Sequence, residues 1–365
     1  MEYVQERIAT LHDYGGANPP APLERAAVVV PMTGRDHAGL APERVFSTLA
    51  TVDPAHTYVA LRADAERAAD VRSWIEGFDL TATVLWCNRP AVEERLDSVG
   101  LNGAAGKGRD VWLALGVAAD SEFVVCHDAD AKSYAASHVR KLLFALANGH
   151  DFSKGYYARV ENGRLYGRLF RLFYAPLVHA LADAHDEPIV DYFDAFRYGL
   201  AGEFAATGEL VSRLRVQRGW GLEVGTLGEA FQHAGFERSA QVDLGLHEHD
   251  HRSVGGPSGL GDMCRDVGSA LFRALHDAGV CPDYETLPSR YHSQATTLLE
   301  QYGADAAFNG LGYDVADERE QVDTYAAAIE PPGEDRRLPA WRETDIEPDA
   351  IQALSAAAIE EATDD

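Results

Sequence analysis

The stretch EFVVCHDAD, from Glu122 to Asp130, joins a short apolar run to two acids that lie one residue apart. Val124 and Val125 are typical of a buried strand, and the acids Asp128 and Asp130 follow where that run ends. Two interpretations compete. Aspartate is common in turns and helix caps, which would leave Asp130 merely solvated. Alternatively, both carboxylates lie at the carboxyl end of a parallel strand and hold a divalent cation against a diphosphate ligand.

Segments before this stretch favour such a sheet. Three further strand candidates are the apolar runs AAVVVPM (26–32), HTYVAL (56–61) and TATVLWC (81–87), and the charged stretch DAERAADVRSWIEGF between the last two is typical of a helix. Alternating strands and helices predict an α/β fold with a doubly wound sheet.

Composition limits the class of protein. The chain has 365 residues and is 46% hydrophobic, so it can bury one large core or two smaller ones. Its 32 basic and 58 acidic residues give a net charge of −26, which disfavours nucleic acid and anionic membranes as partners. No apolar window is long enough to span a bilayer, and the acidic, amphipathic N-terminus is unlike a signal peptide. We therefore expect a cytoplasmic protein.

Two residue types carry further information. The four cysteines lack C-x-x-C spacing, which predicts reduced thiols and no structural zinc site. Only four lysines occur, namely Lys107, Lys132, Lys141 and Lys154. An acidic, lysine-poor chain suits concentrated cytoplasmic salt, and we hypothesise a halophilic source. In such a chain each lysine is expected to have a specific role.

The segment GAAGKGRD (103–110) predicts a phosphate site. It is not a P-loop, because Gly108 follows Lys107 where that motif requires Ser or Thr. It nevertheless places glycines and a lysine at a predicted helix N-terminus, where free backbone N–H groups and the helix dipole favour a phosphate. The alternative is a flexible loop with an exposed lysine. The acid pair some 20 residues later favours the phosphate interpretation.

The segment VDLGLHEHDHRS (242–253) is rich in histidine. His247, His249 and His251 alternate along a predicted strand, so all three could face one side. Three interpretations remain open at this point: an exposed polar strand end, a zinc site built from the histidine cluster, or a single metal-binding histidine among polar neighbours.

Several of these segments also resemble one family of enzymes. The chain is similar over roughly residues 26–275 to the glucosyl-3-phosphoglycerate and mannosyl-3-phosphoglycerate synthases, which are retaining nucleotide-sugar glycosyltransferases. The segments that carry the resemblance, in order, are GKGRDVWLAL, EFVVCHDAD, LAGEFAATGEL, GWGLEVGTLGEAF, AQVDLGLHEHDHR and MCRDVGSALF.

The resemblance implies a fold and a domain organisation. The expected fold is α/β of the GT-A (Rossmann-like) type, with a mixed central sheet and a C-terminal helical extension. The expected regions are an N-terminal arm (1–25), a glycosyltransferase domain (26–275) with a nucleotide-binding half (26–130) and an acceptor-binding half (131–275), a helical region (276–329), and an acidic linker and tail (330–365).

The resemblance also implies roles for individual residues. Asp130 and His249 would bind the metal, and Glu223, Lys107 and Asp130 would be catalytic. The acceptor's phosphate or carboxylate would lie at Arg164 and Tyr166. The expected donor-binding residues are Pro31, Lys107, Asp128, Leu200, Ala201, Gly202 and Arg252.

The implied function is metal-dependent transfer of a hexose, with retention of configuration, from UDP-glucose or GDP-mannose to a small anionic acceptor such as 3-phosphoglycerate. The expected cofactor is Mg²⁺ or Mn²⁺, and the expected assembly is a homodimer. The segments PMTGRD and ALRADAE differ from the family pattern where the nucleotide base is held, so the base stays open between uridine and guanosine. The alternatives are a GT-A transferase acting on a lipid phosphate or glycan, or a non-catalytic nucleotide-sugar-binding domain.

Overall fold

A computed structural model describes residues 5–248 and 257–363. Ten strands lie within these ranges: β1 Ala9–Leu11, β2 Ala26–Thr33, β3 His56–Arg62, β4 Ala82–Trp86, β5 Phe123–Cys126, β6 Phe152–Ala158, β7 Val160–Glu161, β8 Arg164–Leu165, β9 Phe204–Thr207 and β10 Ser239–Leu246. The four apolar runs predicted as strands are confirmed as β2, β3, β4 and β5, and the charged stretch after HTYVAL forms a helix.

The helices account for most of the remaining chain. They are α1 Leu40–Val52, α2 Ala65–Ile75, α3 Pro90–Ser98, α4 Lys107–Ala118, α5 Ala136–Ala147, α6 Ala175–Ala182, α7 Pro188–Asp194, α8 Gly208–Arg213, α9 Leu222–His233, α10 Pro257–Asp277, α11 Leu287–Phe308, α12 Val315–Tyr325 and α13 Pro348–Thr363. A π-helical turn, Leu169–Tyr174, leads directly into α6. No helix among the described residues is long and apolar enough to cross a membrane.

Eight strands form one mixed sheet in the order β1-β10-β6-β9-β5-β2-β3-β4. Its strand pairs are parallel except for those of β9, which runs antiparallel to both β5 and β6. The chain builds β3 and β4 on one side of β2 and then returns to place β5 on the other side. Open α/β sheets bind ligands at such a reversal of strand order. The carboxyl ends of β2 and β5 therefore define the expected site.

The sheet has helices on both faces, because alternate residues of its strands point to opposite sides. Val28 and Val30 of β2 pack into one apolar cluster with α1, α2 and α5. Ala27 and Val29 pack into the other cluster with α4 and with helices from the C-terminal half. The result is a three-layer arrangement in which the central strands are buried from both faces.

The chain before β2 joins the sheet through β1, which pairs in parallel with β10. Asp13 follows this strand and contacts Lys141 of α5, whose Nζ lies 2.7 Å from the carboxylate. The same ammonium donates to the carbonyl oxygen of Asp243 at 2.9 Å. Lys141 therefore fixes the N-terminal arm against the edge of the sheet.

The segment predicted as an acidic linker and tail packs against α4. Trp341 stacks on Trp112 of α4, with ring centroids 4.4 Å apart, and its Nε1 donates to the Trp112 carbonyl oxygen at 2.6 Å. Trp112 in turn donates from Nε1 to the Pro339 carbonyl oxygen at 2.8 Å. Gly116 makes room for the second ring, because a Cβ there would lie 2.0 Å from Trp341.

Replacement of Trp341 by alanine is expected to lower the free energy of unfolding by about 3–5 kcal/mol, since it removes a buried aromatic ring and leaves a cavity beside Trp112. The measurement is urea unfolding followed by circular dichroism. Phe308→Ala is the control, because Phe308 is 87% exposed and its loss should change stability by about 0.5 kcal/mol or less. Equal effects of the two substitutions would contradict a structural role for this segment.

Candidate active site

Asp128 and Asp130 lie beyond the carboxyl end of β5, in a wall shared by two cavities. The smaller cavity, of ≈ 230 Å³, is also lined by the end of β2, including Pro31. The larger cavity, of ≈ 580 Å³, extends towards the short β7–β8 hairpin. The side chains that line both are Lys107, Asp128, Asp130 and Trp220.

Lys107 joins two acids that come from distant parts of the chain. Its Nζ lies 2.7 Å from Asp128 Oδ1 and 2.9 Å from Glu223 Oε1. Burial acts to lower the pKa of this ammonium, but the two carboxylates outweigh burial, so its pKa stands well above the ordinary value. With Asp130, the cluster has one cation and three carboxylates, a formal charge of −2. Such an excess of negative charge favours a bound cation.

Close backbone packing brings Lys107 to Glu223. A Cβ on Gly106 would lie 2.5 Å, and one on Gly108 1.8 Å, from carbonyl oxygens in segment 217–218. Any larger residue at either position would push the start of α4 away from the start of α9. Glu223 lies in the first turn of α9, where the helix dipole favours a carboxylate.

The turn at residues 199–203 forms another part of the wall. Leu200 and Gly202 line the larger cavity, whereas Ala201 is fully buried behind them. Gly202 lies directly against the first acid of the pair, since a Cβ there would be 2.4 Å from Asp128 Oδ2. Two of the three residues predicted from this turn thus face the cavity, and one of these, Gly202, lies against the acid pair.

Arg164 and Tyr166 line the far side of the larger cavity. A two-residue hairpin turn sets the position of Arg164, since Asn162 and Gly163 both have positive φ, at 49° and 68°. Asn-Gly suits this turn type. The turn is anchored from outside, because Gly312 donates its backbone N–H to the Gly163 carbonyl oxygen at 2.7 Å.

The sequence patterns missed several of the side chains that line the cavities, among them Arg159, Arg62 and Trp220. Arg159 lies just after β6 and lines the larger cavity, and Arg62 ends β3 and lines the smaller one. Trp220 lines both and is 45% exposed. Arg62 could have been found, because it ends an apolar strand much as the acid pair follows one.

The Nε of Arg62 is 3.4 Å from Asp110 Oδ2. Burial of the Asp110 carboxyl nevertheless has a larger effect than the nearby arginines and raises the pKa of Asp110 to about 6.

The prediction that three histidines alternate along one strand is wrong. β10 ends at Leu246, before the first of them. His247 is fully buried and stacks on Tyr157, with ring centroids 4.1 Å apart. Its Nε2 is 3.6 Å from Glu203 Oε1. The end of the strand is irregular, because Gly245 has a φ of 82° and the register shifts between Asp243 and Leu246.

His249, His251 and Arg252 lie outside the described residues. Within residues 5–248 and 257–363, no three His, Cys, Asp or Glu side chains are placed to hold a metal ion by themselves. Mg²⁺ usually takes one or two protein carboxylates and completes its shell with substrate phosphates and water. Asp130, in the wall between the cavities, fits a site of that kind, and the net negative cluster supplies the charge.

The fold and this site define a class of protein. A crystal structure of glucosyl-3-phosphoglycerate synthase from Mycobacterium tuberculosis, solved with Mn²⁺, UDP-glucose and phosphoglyceric acid, matches 76% of this chain and 89% of its own with a TM-score of 0.56 and 23% identity. A second structure of that enzyme, with Mg²⁺ and UDP, matches with a TM-score of 0.54 and 24% identity over 76% of this chain and 88% of its own. The fold is that of the GT-A glycosyltransferases.

Sequence comparison narrows the class to a family. The chain is 31% identical to glucosyl-3-phosphoglycerate synthase from Methanococcoides burtonii over 98% of both chains. It is 35% identical to the enzyme of the same name from Persephonella marina, over 73% of this chain and 70% of the relative. No protein-family profile matches the sequence. The chain belongs to the glucosyl-3-phosphoglycerate synthase family, and it is a glycosyltransferase.

Proposed function

We propose that the protein transfers glucose from a nucleoside-diphosphate glucose to 3-phosphoglycerate, with a divalent metal and with retention of configuration. The observation that carries the proposal is the position of Lys107 between Asp128 and Glu223, in the wall that separates two cavities. A diphosphate at this wall would place its nucleoside in one cavity and its sugar in the other. The relatives reported above favour glucose over mannose, and UDP-glucose is the first donor to test.

On the donor side, the smaller cavity would take the nucleoside, with Pro31 at its wall. Asp128 would lie near the ribose, and the 199–202 turn would line the sugar pocket. Lys107, at the N-terminus of α4, would face the donor phosphates, where the helix dipole also favours negative charge. Arg252 is proposed as a second cation for the diphosphate.

Asp130 and His249 would hold the metal ion. When bound, Mg²⁺ or Mn²⁺ would stabilise the negative charge that develops on the leaving diphosphate. Lys107 adds to that stabilisation, because its ammonium stays charged between the two carboxylates. An acidic pair at the end of a core strand is thereby explained by the chemistry of the leaving group.

On the acceptor side, Arg164 and Tyr166 would hold the phosphate or carboxylate of the acceptor. The planar guanidinium matches either anion with two hydrogen bonds. The acceptor's hydroxyl oxygen forms the new bond to the anomeric carbon as the bond to the diphosphate breaks. Its proton passes to the departing phosphate oxygen, and Glu223 positions the sugar rather than attacking it.

Asp130→Ala is expected to abolish metal-dependent transfer, and His249→Ala should do the same. The double variant should be little worse than either single one, because parts of one unit are not additive. The measurement is product formation from several nucleotide sugars with Mg²⁺, Mn²⁺ or a chelator. Asp120→Ala is the control, since Asp120 is an exposed acid at the opposite end of β5.

Three outcomes of that experiment would oppose the proposal. Full activity of Asp130→Ala would remove this acid from the metal site. Metal-dependent nucleotide binding without turnover, for every donor and acceptor, would favour a non-catalytic domain instead. Transfer to a lipid phosphate or glycan, but not to phosphoglycerate, would replace the proposed acceptor.

Lys107→Ala and Arg164→Ala should affect different kinetic constants. Loss of Lys107 removes a contact that becomes stronger as negative charge develops on the leaving diphosphate. The ratio of wild-type to variant kcat/KM for the donor should therefore correspond to about 2–4 kcal/mol of lost transition-state stabilisation. Loss of Arg164 should raise the acceptor KM and leave slow donor hydrolysis nearly intact. Arg164→Lys should also be impaired, because an ammonium lacks the planar fork. An unchanged acceptor KM in Arg164→Ala would place the acceptor elsewhere.

The homodimer and the halophilic source remain predictions. The aromatic stretch 165–181 is no support for a dimer, because Leu172, Phe173, Leu177 and Leu181 are buried in the protein's own core. Light scattering at high salt measures the oligomeric state, and a monomeric mass would exclude the dimer.

For a halophilic protein, the urea concentration at the midpoint of unfolding should fall on dialysis into low salt, because screening of a net charge of −26 is lost.

A further inference from the structure

Lys154 is a second buried lysine near the candidate site, and the mechanism above does not use it. It lies on β6 and is 1% exposed. Its Nζ donates a hydrogen bond of 2.6 Å to the carbonyl oxygen of Ala201. Burial of an ammonium is costly unless hydrogen bonds and opposite charges replace its lost hydration. In a chain with only four lysines, its presence here requires a physical reason.

The hydrogen bond ties Lys154 to the wall of the larger cavity. Ala201 belongs to the 199–203 turn and lies between the two residues that face the cavity. Its neighbour Gly202 lies against Asp128, with no room for a Cβ between them. A shift of the Ala201 carbonyl would therefore be transmitted directly to the first acid of the pair.

The ammonium also lies among the ionisable groups of the site. Burial lowers the pKa of Lys154 to about 8, and the nearby carboxylates of Glu223 and Glu203 act in the opposite direction. The groups around it come from separate parts of the fold: Glu223 from α9, Glu203 from the end of the 199–203 turn, Lys107 from α4 and Cys126 from β5. His247, after β10, contacts Glu203. At neutral pH the ammonium is charged and offsets part of the surrounding negative charge.

We propose that Lys154 is a positioning residue for glycosyl transfer. Its ammonium holds the 199–203 turn against Asp128 and stabilises the carboxylates of Glu203 and Glu223 beneath the donor site. The inference rests on the proposed function, because transfer is the activity that the turn would support. It adds a residue that contacts neither substrate and acts through Ala201 and the local charge.

The chain offers a matched control in Lys141, the other lysine buried in a similar way. Its ammonium also donates to a backbone carbonyl oxygen and contacts an acid, but that carbonyl belongs to Asp243, and neither Asp243 nor its chain neighbours line either of the two cavities. Lys154→Met should lower kcat by about 100-fold, the cost of a displacement of about 1 Å in the site, without raising the acceptor KM. Lys141→Met should lower stability and leave kcat as in the wild type.

The pH dependence of kcat gives a second readout. In the wild type, kcat should fall as the pH rises through about 8, because the ammonium is lost. Lys154→Arg should retain activity to higher pH, since a guanidinium stays charged. Loss of the Lys154 proton does not by itself favour unfolding over this range. The pKa of Lys154 in the folded protein lies below the ordinary value of 10.5. Burial of the ammonium therefore lowers the free energy of unfolding by its full amount below pH 8, and this loss of stability becomes smaller as the pH rises towards 10.5.

Binding of UDP with Mn²⁺, measured by calorimetry, separates this inference from the proposed function. If the wild type transfers no sugar, the proposed function fails, but the inference about Lys154 can still be tested. In that case Lys154→Met should bind UDP about tenfold more weakly than Lys141→Met does, because the wall of the binding site would be displaced. Unchanged affinity, or no UDP binding by the wild type, overturns the inference. If Lys154→Met does not fold, a wild-type kcat that stays constant from about pH 7 to 10 overturns it.

Discussion

The contact of one ammonium with two carboxylates constrains the whole candidate site. Lys107 begins α4, Asp128 follows β5, and Glu223 lies in the first turn of α9, so the contact fixes three elements relative to one another. Without the cation between them, the two carboxylates would repel each other, which would disfavour the charged form of both. The arrangement also sets the position of Asp130, two residues further along the same backbone. The wall between the cavities is therefore an electrostatic unit as well as a steric one.

Packing far from the site supports this unit. α4 carries Lys107 at its N-terminus and Trp112 in the next turns, where the ring is enclosed by the segment around Trp341. That segment also forms an antiparallel bridge between Val216 and Leu338, close to the start of α9. One stretch of chain thus contacts α4 and the segment that leads into α9. Rotation of α4 would disturb buried aromatic contacts, which favours a preorganised site.

The sequence predicted those features of the molecule that depend on residues close together along the chain. Continuous apolar runs identified four parallel strands, and acids after one of them identified the edge of the sheet where the two cavities lie. The short strand β9 was not predicted, because its antiparallel course depends on its pairing with β5 and β6. The burial of His247 and the enclosure of Trp341 depend on contacts between residues distant in sequence. Periodicity and spacing contain no information on such contacts.

The distribution of charge connects the surface to the site. A net charge of −26 repels anionic substrates at long range. Beside the three carboxylates of the acidic cluster, the larger cavity nevertheless has four cations in its lining: Lys107, Arg159, Arg164 and Arg168. Salt reduces the range of repulsion, since the Debye length falls from about 8 Å at physiological ionic strength to about 3 Å at 1 M. Ion pairs that are partly buried are screened much less. Concentrated salt would then weaken the repulsion by the surface while leaving the pairing of Lys107 with Asp128 and Glu223 largely intact. An acidic exterior and a cation-lined cavity are therefore compatible in one enzyme, provided that the solvent supplies the screening.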